Sequence, residues 1–407
     1  MKTVVETPYL LVGEGLDLLR NGYVKMEGGI ITEVGSGSPP QADVKIRREG
    51  SIIIPGLVNS HIHVGDSAFK DTGFGGSLDE LFKPPTGLKH RLLASTAPEV
   101  IVRAVKDTLF EALRSGTTTL ADFREGSIAG VRILLEALKE SRLRVLIFGR
   151  PSSIESRPNI QASPHLLQEI HGLLEAVDGL APSSPNDVSD EYLSQLSRIA
   201  GIHGKLRATH AAESPSSEEV SRRMSRSTEV QRAIHIFKAE LLVHLTYASE
   251  QDLRLVAESG VSVAACPRAN AALGLRLPPV PQMLDAGINV CLGTDNVMLN
   301  QPDMFREMEF ALKAYMLEKS AARPLKPMEV LQMATINGAR ALRIEDEAGS
   351  IDEGKSADLL IMNLNKALKN TQDLPTAIVH RASADDVDAV IIRGEVVYDR
   401  LMGEHQG

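Results

Sequence analysis

Two hydrophobic patterns divide the chain, and the boundary falls at Pro55. Before it, apolar and β-branched residues come in short runs, at 3–6, 10–12, 23–27 and 30–34, broken by Gly, Asn or Pro and without helical period. Gly28-Gly29 between the last two runs predicts a hairpin turn, because both residues accept positive φ without steric cost. From Gly56 onward, apolar runs alternate with stretches of helical period such as 128–141, 190–201, 250–259 and 279–286. The strand candidates number eight, at 57–63, 117–123, 144–148, 177–181, 206–210, 241–245, 261–265 and 290–292. Eight βα units in order predict a closed parallel (β/α)8 barrel of the TIM type, with its chemistry at the C-terminal strand ends. An open α/β sheet is the alternative. After Ala348 short strands return, at 358–362, 389–393 and 395–398. The predicted architecture is α/β: a barrel over 56–346, and a small β-sandwich domain formed from both termini, 1–55 plus 347–407.

Polar residues at those strand ends make a short set. His61 and His63 end the first barrel strand, and alternation puts both on one face, at a spacing that suits a single metal ion. An isolated His-x-His is more often two histidines on a wet strand face, but here an apolar run precedes it and a glycine-rich loop follows. The fifth strand ends in His210-Ala211-Ala212-Glu213, the sixth carries Val243-His244, and the eighth runs into Gly293-Thr294-Asp295. Three histidines and one carboxylate suit a zinc-type ion with one position left for water, so His61, His63, His210 and Asp295 are the candidate ligands. Water held there becomes a nucleophile near neutral pH. His244 is either a hydrogen-bond partner of that water and the developing oxyanion or a fourth histidine ligand. Glu213 reads as a proton shuttle to the substrate, against the plainer reading of an acid favoured at a helix N-terminus. The fourth strand region, 177–184, contains neither Lys nor Glu to bridge a second ion, which points to a mononuclear site.

Composition narrows the partners. Net charge is −9 and no Lys/Arg-rich block occurs, which excludes nucleic acid and anionic membrane as main partners. No apolar run is long enough to span a bilayer, and the first residues lack the apolar region of a signal peptide, so the expected location is cytoplasmic. Cys266 and Cys291 lie in apolar runs and read as buried reduced thiols. With Trp absent, any aromatic pocket wall must come from Phe or Tyr; Phe69, Phe74 and Phe123 are candidates, with core packing the default. Arg124, Arg150 and Arg268 each follow a predicted strand, so at least one is expected to face the pocket. Lys89-His90-Arg91 reads as a solvated helix start in preference to a lid over the site, and Gly73-Phe74-Gly75-Gly76 as a lid loop. Asp66 is a candidate partner behind a ligand histidine. The Ser- and Arg-rich stretch 214–227 reads as an exposed loop or surface helix.

These motifs resemble the amidohydrolase superfamily, in particular its mononuclear cytosine-deaminase-like and chlorohydrolase-like branch. The likeness rests on Pro55-Gly56-Leu57-Val58-Asn59-Ser60-His61-Ile62-His63, Ser115-Gly116-Thr117-Thr118-Thr119, His210-Ala211-Ala212-Glu213, Val243-His244, Cys266-Pro267-Arg268-Ala269-Asn270, Leu292-Gly293-Thr294-Asp295 and Ala334-Thr335-Ile336-Asn337-Gly338-Ala339, with a matching tail from Gly349 to Leu359. It spans nearly the whole chain. The resemblance implies one divalent metal ion, zinc ahead of iron, and hydrolytic deamination of a small aminated N-heterocycle in which Glu213 protonates the ring, His244 steadies the nucleophile and Asp295 takes the water proton. Chlorohydrolysis, imidazolone-type ring opening and cyclic amide hydrolysis are the enzymatic alternatives, and a non-catalytic ligand-binding relative the alternative of another class. A homodimer is the expectation by family analogy. The stretch Val64-Gly65-Asp66-Ser67-Ala68-Phe69-Lys70-Asp71, the strand-four region without histidine and the segment 83–91 depart from adenosine-type relatives and leave the substrate open.

Overall fold

The computed structural model describes residues 1–151, 163–317 and 323–400. The N-terminal segment supplies β1 (Lys2–Val12), β2 (Asp17–Glu27), β3 (Ile30–Ser36), β4 (Val44–Arg47) and β5 (Ser51–Pro55). Gly28 and Gly29 sit at φ 60° and 86° between β2 and β3, the two-residue hairpin expected of that pair. The sequence suggests a break at Pro8, yet β1 runs through it. On one side β1 pairs β4 over residues 3–6 and β5 over residues 9–10, and Pro8 falls between these partners, where its missing N–H is not needed.

The barrel follows as β6 (Leu57–His63), β7 (Thr117–Arg124), β8 (Arg144–Gly149), β9 (Gly179–Leu180), β10 (Leu206–Ala211), β11 (Leu241–His244), β12 (Ser262–Ala265) and β13 (Val290–Leu292), with the short β14 (Asp295–Asn296) continuing β13. All are parallel and hydrogen-bonded in sequence order, and β14 pairs back onto β6, Asp295 opposite Ile62, which closes the ring. Closure depends on Gly293. A Cβ there would lie 2.7 Å from the His61 Cβ and carbonyl oxygen. Alternate residues Ala121, Phe123, Leu146, Phe148, Ala208, Leu241, Val243 and Cys291 fill the barrel, while Leu120, Ile147, Leu242, Val263, Val290 and Leu292 meet the surrounding helices.

The chain returns to the first sheet with β15 (Leu359–Asn363), β16 (Val387–Ile392) and β17 (Glu395–Asp399). β15 lies antiparallel to β5, so both termini share one sheet. Ile53, Leu359 and Ile361 face the core of this terminal unit, whereas Ile52, Ile54, Leu360 and Met362 face the main core beside the barrel. A helix between β15 and β16, Leu374–Arg381, is not apparent in the sequence. It is capped by Asp373 and packs on the barrel helices Met304–Leu317 and Pro327–Met333. No helix among the described residues is long and apolar enough to cross a membrane, and both cysteines are buried and free.

Candidate active site

The polar residues singled out above meet at the C-terminal mouth of the barrel, and irregular backbone brings them there. β6 carries a register shift between Asn59 and Ile62. This lets Val58 face the interior while His61 and His63, of opposite parity, also point inward. Strict alternation along β11 aims Val243 into the barrel and His244 out of it. His244 and Leu245 take φ 74° and 56°, and this left-handed step turns the imidazole back toward the site. Ala212 at φ 50° does the same service for Glu213, and Asp295 itself sits at φ 60°. Such conformations cost of order 1–3 kcal/mol each, and four of them fall at or directly beside Glu213, His244 and Asp295.

The hydrogen bonds fix the tautomers. His63 Nδ1 lies 2.8 Å from the Phe123 carbonyl, and His210 Nδ1 lies 2.8 Å from the Ser183 carbonyl. A carbonyl only accepts, so each Nδ1 carries the proton and each Nε2 presents a lone pair. His244 Nδ1 meets Asn270 Oδ1 at 3.2 Å; the same amide's nitrogen donates to the Arg276 carbonyl at 2.9 Å, which sets its orientation. His61 has no hydrogen-bond partner on either nitrogen although fully buried, and its Nε2 is 3.3 Å from Asp295 Oδ1. Donor atoms of His61, His63 and His210 lie within 4.8 Å of one another, as do those of His61, His244 and Asp295. Neutral imidazoles with inward lone pairs and a buried carboxylate are a donor set that fits a divalent ion.

Burial lowers the His61 pKa to about 3 and holds His210 well below its ordinary value, so both are neutral. Burial works against charge on Asp295, but the close approach of His61, 3.3 Å away, and of the neighbouring imidazoles outweighs it and keeps the carboxyl well below the usual range. Glu213 differs. Burial, with help from the Asp295 and Glu229 charges, raises its pKa, and its Oε1 stands 3.4 Å from His244 Nε2.

A cavity of about 360 Å³ opens over these groups, within the size range of small-molecule sites. Of the uncertain cations, Lys89, His90 and Arg150 line it. Arg124 turns away to the Gly130 carbonyl, and Arg268 faces a separate cleft. Lys89 corrects the solvated-helix reading: it is 3% exposed and reaches Glu125, Asn296 and Asp66. Asp66 is not the partner of a histidine, since its Oδ1 accepts from the Met298 N–H; Glu125 takes that place, 2.9 Å from His63 Nδ1. The period of two could have found Glu125, because Ala121, Phe123 and Glu125 share the interior face. Phe69 and Phe123 are core residues and Phe74 is 64% exposed, so Phe82 is the one Phe or Tyr on the cavity wall among the described residues. The Ser-rich stretch forms a helix, Pro215–Ser225, and Ser214, Ser216 and Ser217 line the cavity.

Known proteins of the same design exist. A Methanothermobacter thermautotrophicus protein, provisionally named an aminohydrolase, is 37% identical over 97% of this chain and 98% of its own. A 5'-deoxyadenosine deaminase of Methanosarcina mazei is 30% identical over 93% of this chain and 88% of its own. The solved structure of an adenosine deaminase from Xanthomonas campestris with bound zinc shares the fold at TM-score 0.88 and 22% identity, covering 98% of this chain and 93% of that one. Atrazine chlorohydrolase TrzN from Arthrobacter aurescens, also with zinc, does so at 0.85 and 20%, covering 98% and 95%. With residues 52–397 matching the amidohydrolase family, the chain belongs to that family.

Proposed function

We propose that this protein hydrolytically deaminates an aminated N-heterocycle, with one divalent ion, zinc in this reading, held by His61, His63, His210 and Asp295. The observation that carries the proposal is the inward convergence of imidazole lone pairs beside Asp295, with Glu213, its pKa raised by burial, 3.4 Å from His244. An ion in that position supplies a water that ionises near neutral pH. The protein's own groups manage the protons. Asp295 Oδ2 and His244 Nε2, 3.9 Å apart, are the groups that would take a proton from that water. Glu213, its pKa raised by burial, donates its proton to a ring nitrogen; the proton held at Asp295 and His244 then passes to the departing amine, and the second water proton restores Glu213. Of the two water protons, one ends on the ring and one leaves with ammonia, while the oxygen replaces the amino group. The relatives named as an aminohydrolase and a 5'-deoxyadenosine deaminase support loss of an amino group.

Ammonia release by zinc-loaded protein across adenine nucleosides, free purines and pyrimidines, triazines and pterins tests the reading. Release from one class is expected. Zinc bound in stoichiometric amount with no ammonia from any class would reject deamination in favour of another hydrolysis.

A further inference from the structure

Behind two of the proposed ligands the side chains close a ring through Lys89. His63 Nδ1 stands 2.9 Å from Glu125 Oε1, and Glu125 forms an ion pair with the Lys89 ammonium. Lys89 Nζ donates to Asn296 Oδ1 at 2.8 Å, and Asn296 Nδ2 donates to Asp295 Oδ1 at 2.8 Å. Asp66 Oδ2 lies 3.6 Å from the same ammonium. Lys89 is 3% exposed, Glu125 5% and Asp66 0%.

An ammonium this deep is unfavourable unless oxygens surround it. Here three segments each send one: the loop after β6, the end of β7, and β14. Asn296 accepts a hydrogen bond from the ammonium, Glu125 forms an ion pair with it, and Asp66 at 3.6 Å adds a second carboxylate at longer range. An ammonium only donates, so it also fixes the Asn296 amide with oxygen toward Lys89 and nitrogen toward Asp295. With that nitrogen on Oδ1, Asp295 Oδ2 is left facing His244 Nε2 at 3.9 Å. On the other arm, the ammonium holds Glu125 in place beside the Nδ1 of His63, supporting the tautomer that frees Nε2.

We infer that Lys89 is a positioning residue for metal binding: from the first turn of the helix Leu88–Ser95, between β6 and β7, it orients His63 through Glu125 and Asp295 through Asn296 at once. The inference rests on the metal-site reading above and adds to it a residue that touches no ion. Lys89→Met and Asn296→Ala, checked for folding by circular dichroism, would be titrated with zinc against a competing chelator, and kcat and KM of the zinc-loaded proteins measured separately. Zinc affinity is expected to fall roughly 10–100-fold in Lys89→Met, the usual effect of removing groups behind metal ligands, and less in Asn296→Ala, which cuts one arm. The loaded enzymes should lose kcat with KM nearly unchanged. Adding Glu125→Gln to Lys89→Met should cost less than the product of the single losses, since both cut the same ring.

Wild-type zinc affinity in a folded Lys89→Met protein, or a loss confined to KM, would overturn the inference and make Lys89 a substrate contact. If Lys89→Met does not fold, unchanged zinc affinity in Asn296→Ala overturns it instead. A wild-type protein that holds no zinc defeats the metal-site reading itself, a result distinct from either of these.

Discussion

The two sides of the barrel mouth are held by different means. On the β6 and β14 side, His63 and Asp295 are backed by charge, through Glu125, Lys89, Asp66 and Asn296. On the β10 and β11 side, His210 and His244 are backed by neutral oxygens, the Ser183 carbonyl and the Asn270 amide. A buried acid there, Glu229, takes hydrogen bonds from the Ala212 N–H at 2.8 Å, Asn186 Nδ2 at 2.7 Å and Ser217 Oγ at 2.7 Å, and from Ser184. The difference follows from what each side is asked to do in the proposed chemistry. Charge behind His63 and Asp295 balances a cation. With no cation of the Lys89 kind beside it among the described residues, burial and the Asp295 and Glu229 charges raise the Glu213 pKa, which favours its holding a proton.

Glu213→Gln is the largest break that division allows. Gln cannot carry the proton, so kcat should fall about 10²–10⁴-fold while zinc content stays at the wild-type level. Parallel kinetics and metal analysis check it, and full turnover would remove Glu213 from the reaction. Glu229→Ala strikes the scaffold of the same side. It leaves several buried donors without an acceptor, each worth about 1–3 kcal/mol, so denaturant unfolding should show a loss of several kcal/mol. The surviving folded protein should lose kcat before it loses zinc, because the Ala212 turn that aims Glu213 is released. A protein that lost zinc first would place Glu229 on the other side of the comparison.

Much of this was legible in the sequence. The barrel strands announce themselves through short apolar runs, and the ligand candidates sit at their ends. What stayed hidden depends on contacts between distant segments. Lys89 in the run Lys89-His90-Arg91 reads as solvent-facing, because its three oxygens come from residues 66, 125 and 296. The inward turn of His244 needs a positive φ that a non-glycine residue does not advertise. The helix Leu374–Arg381 went unread because its buried face is short, Ala377, Ile378 and Val379, and its partner helices lie far back in the chain.

A smaller effect tests how far the neutral side extends. Glu307 is fully buried behind it, with its Oε1 accepting from the Arg268 N–H at 3.0 Å at the start of the helix that carries Asn270. Burial raises its pKa to about 7, even with the Arg268 charge nearby. A carboxyl with a raised folded pKa favours the folded state while protonated. Its contribution is full below the ordinary value of 4.5 and is lost as pH rises through about 7. Relative to Glu307→Gln, the wild type should therefore lose up to roughly 3 kcal/mol of stability across that window. Denaturant midpoints of the two proteins at a series of pH values measure it; parallel curves would show that Glu307 does not titrate there. Gly293→Ala probes the opposite side at about 1–3 kcal/mol, since its new methyl collides with His61 where β13 closes on β6. It should also weaken zinc binding, and an unchanged chelator titration would show that the strand gives way without moving His61.

The smallest expected effect separates burial from charge. Lys83, at the end of the helix Leu78–Phe82, and Lys89, at the start of the next helix, both line the cavity. Lys83 pairs with Asp79 at 3.0 Å, but its side chain is 60% exposed and its partner 53%. Water screens such a pair, and holding two long side chains in register costs entropy, so exposed pairs four residues apart are worth about 0.3–0.5 kcal/mol. Lys83→Met should then shift stability by no more than that and leave zinc affinity untouched, while Lys89→Met changes zinc affinity by an order of magnitude or more. The substitution is the same and the cavity is the same; the difference lies in the Asp66, Glu125 and Asn296 oxygens packed around one ammonium and absent from the other. Equal zinc losses in the two variants would mean that the general positive field of the segment between β6 and β7, rather than the ring through Lys89, governs the site.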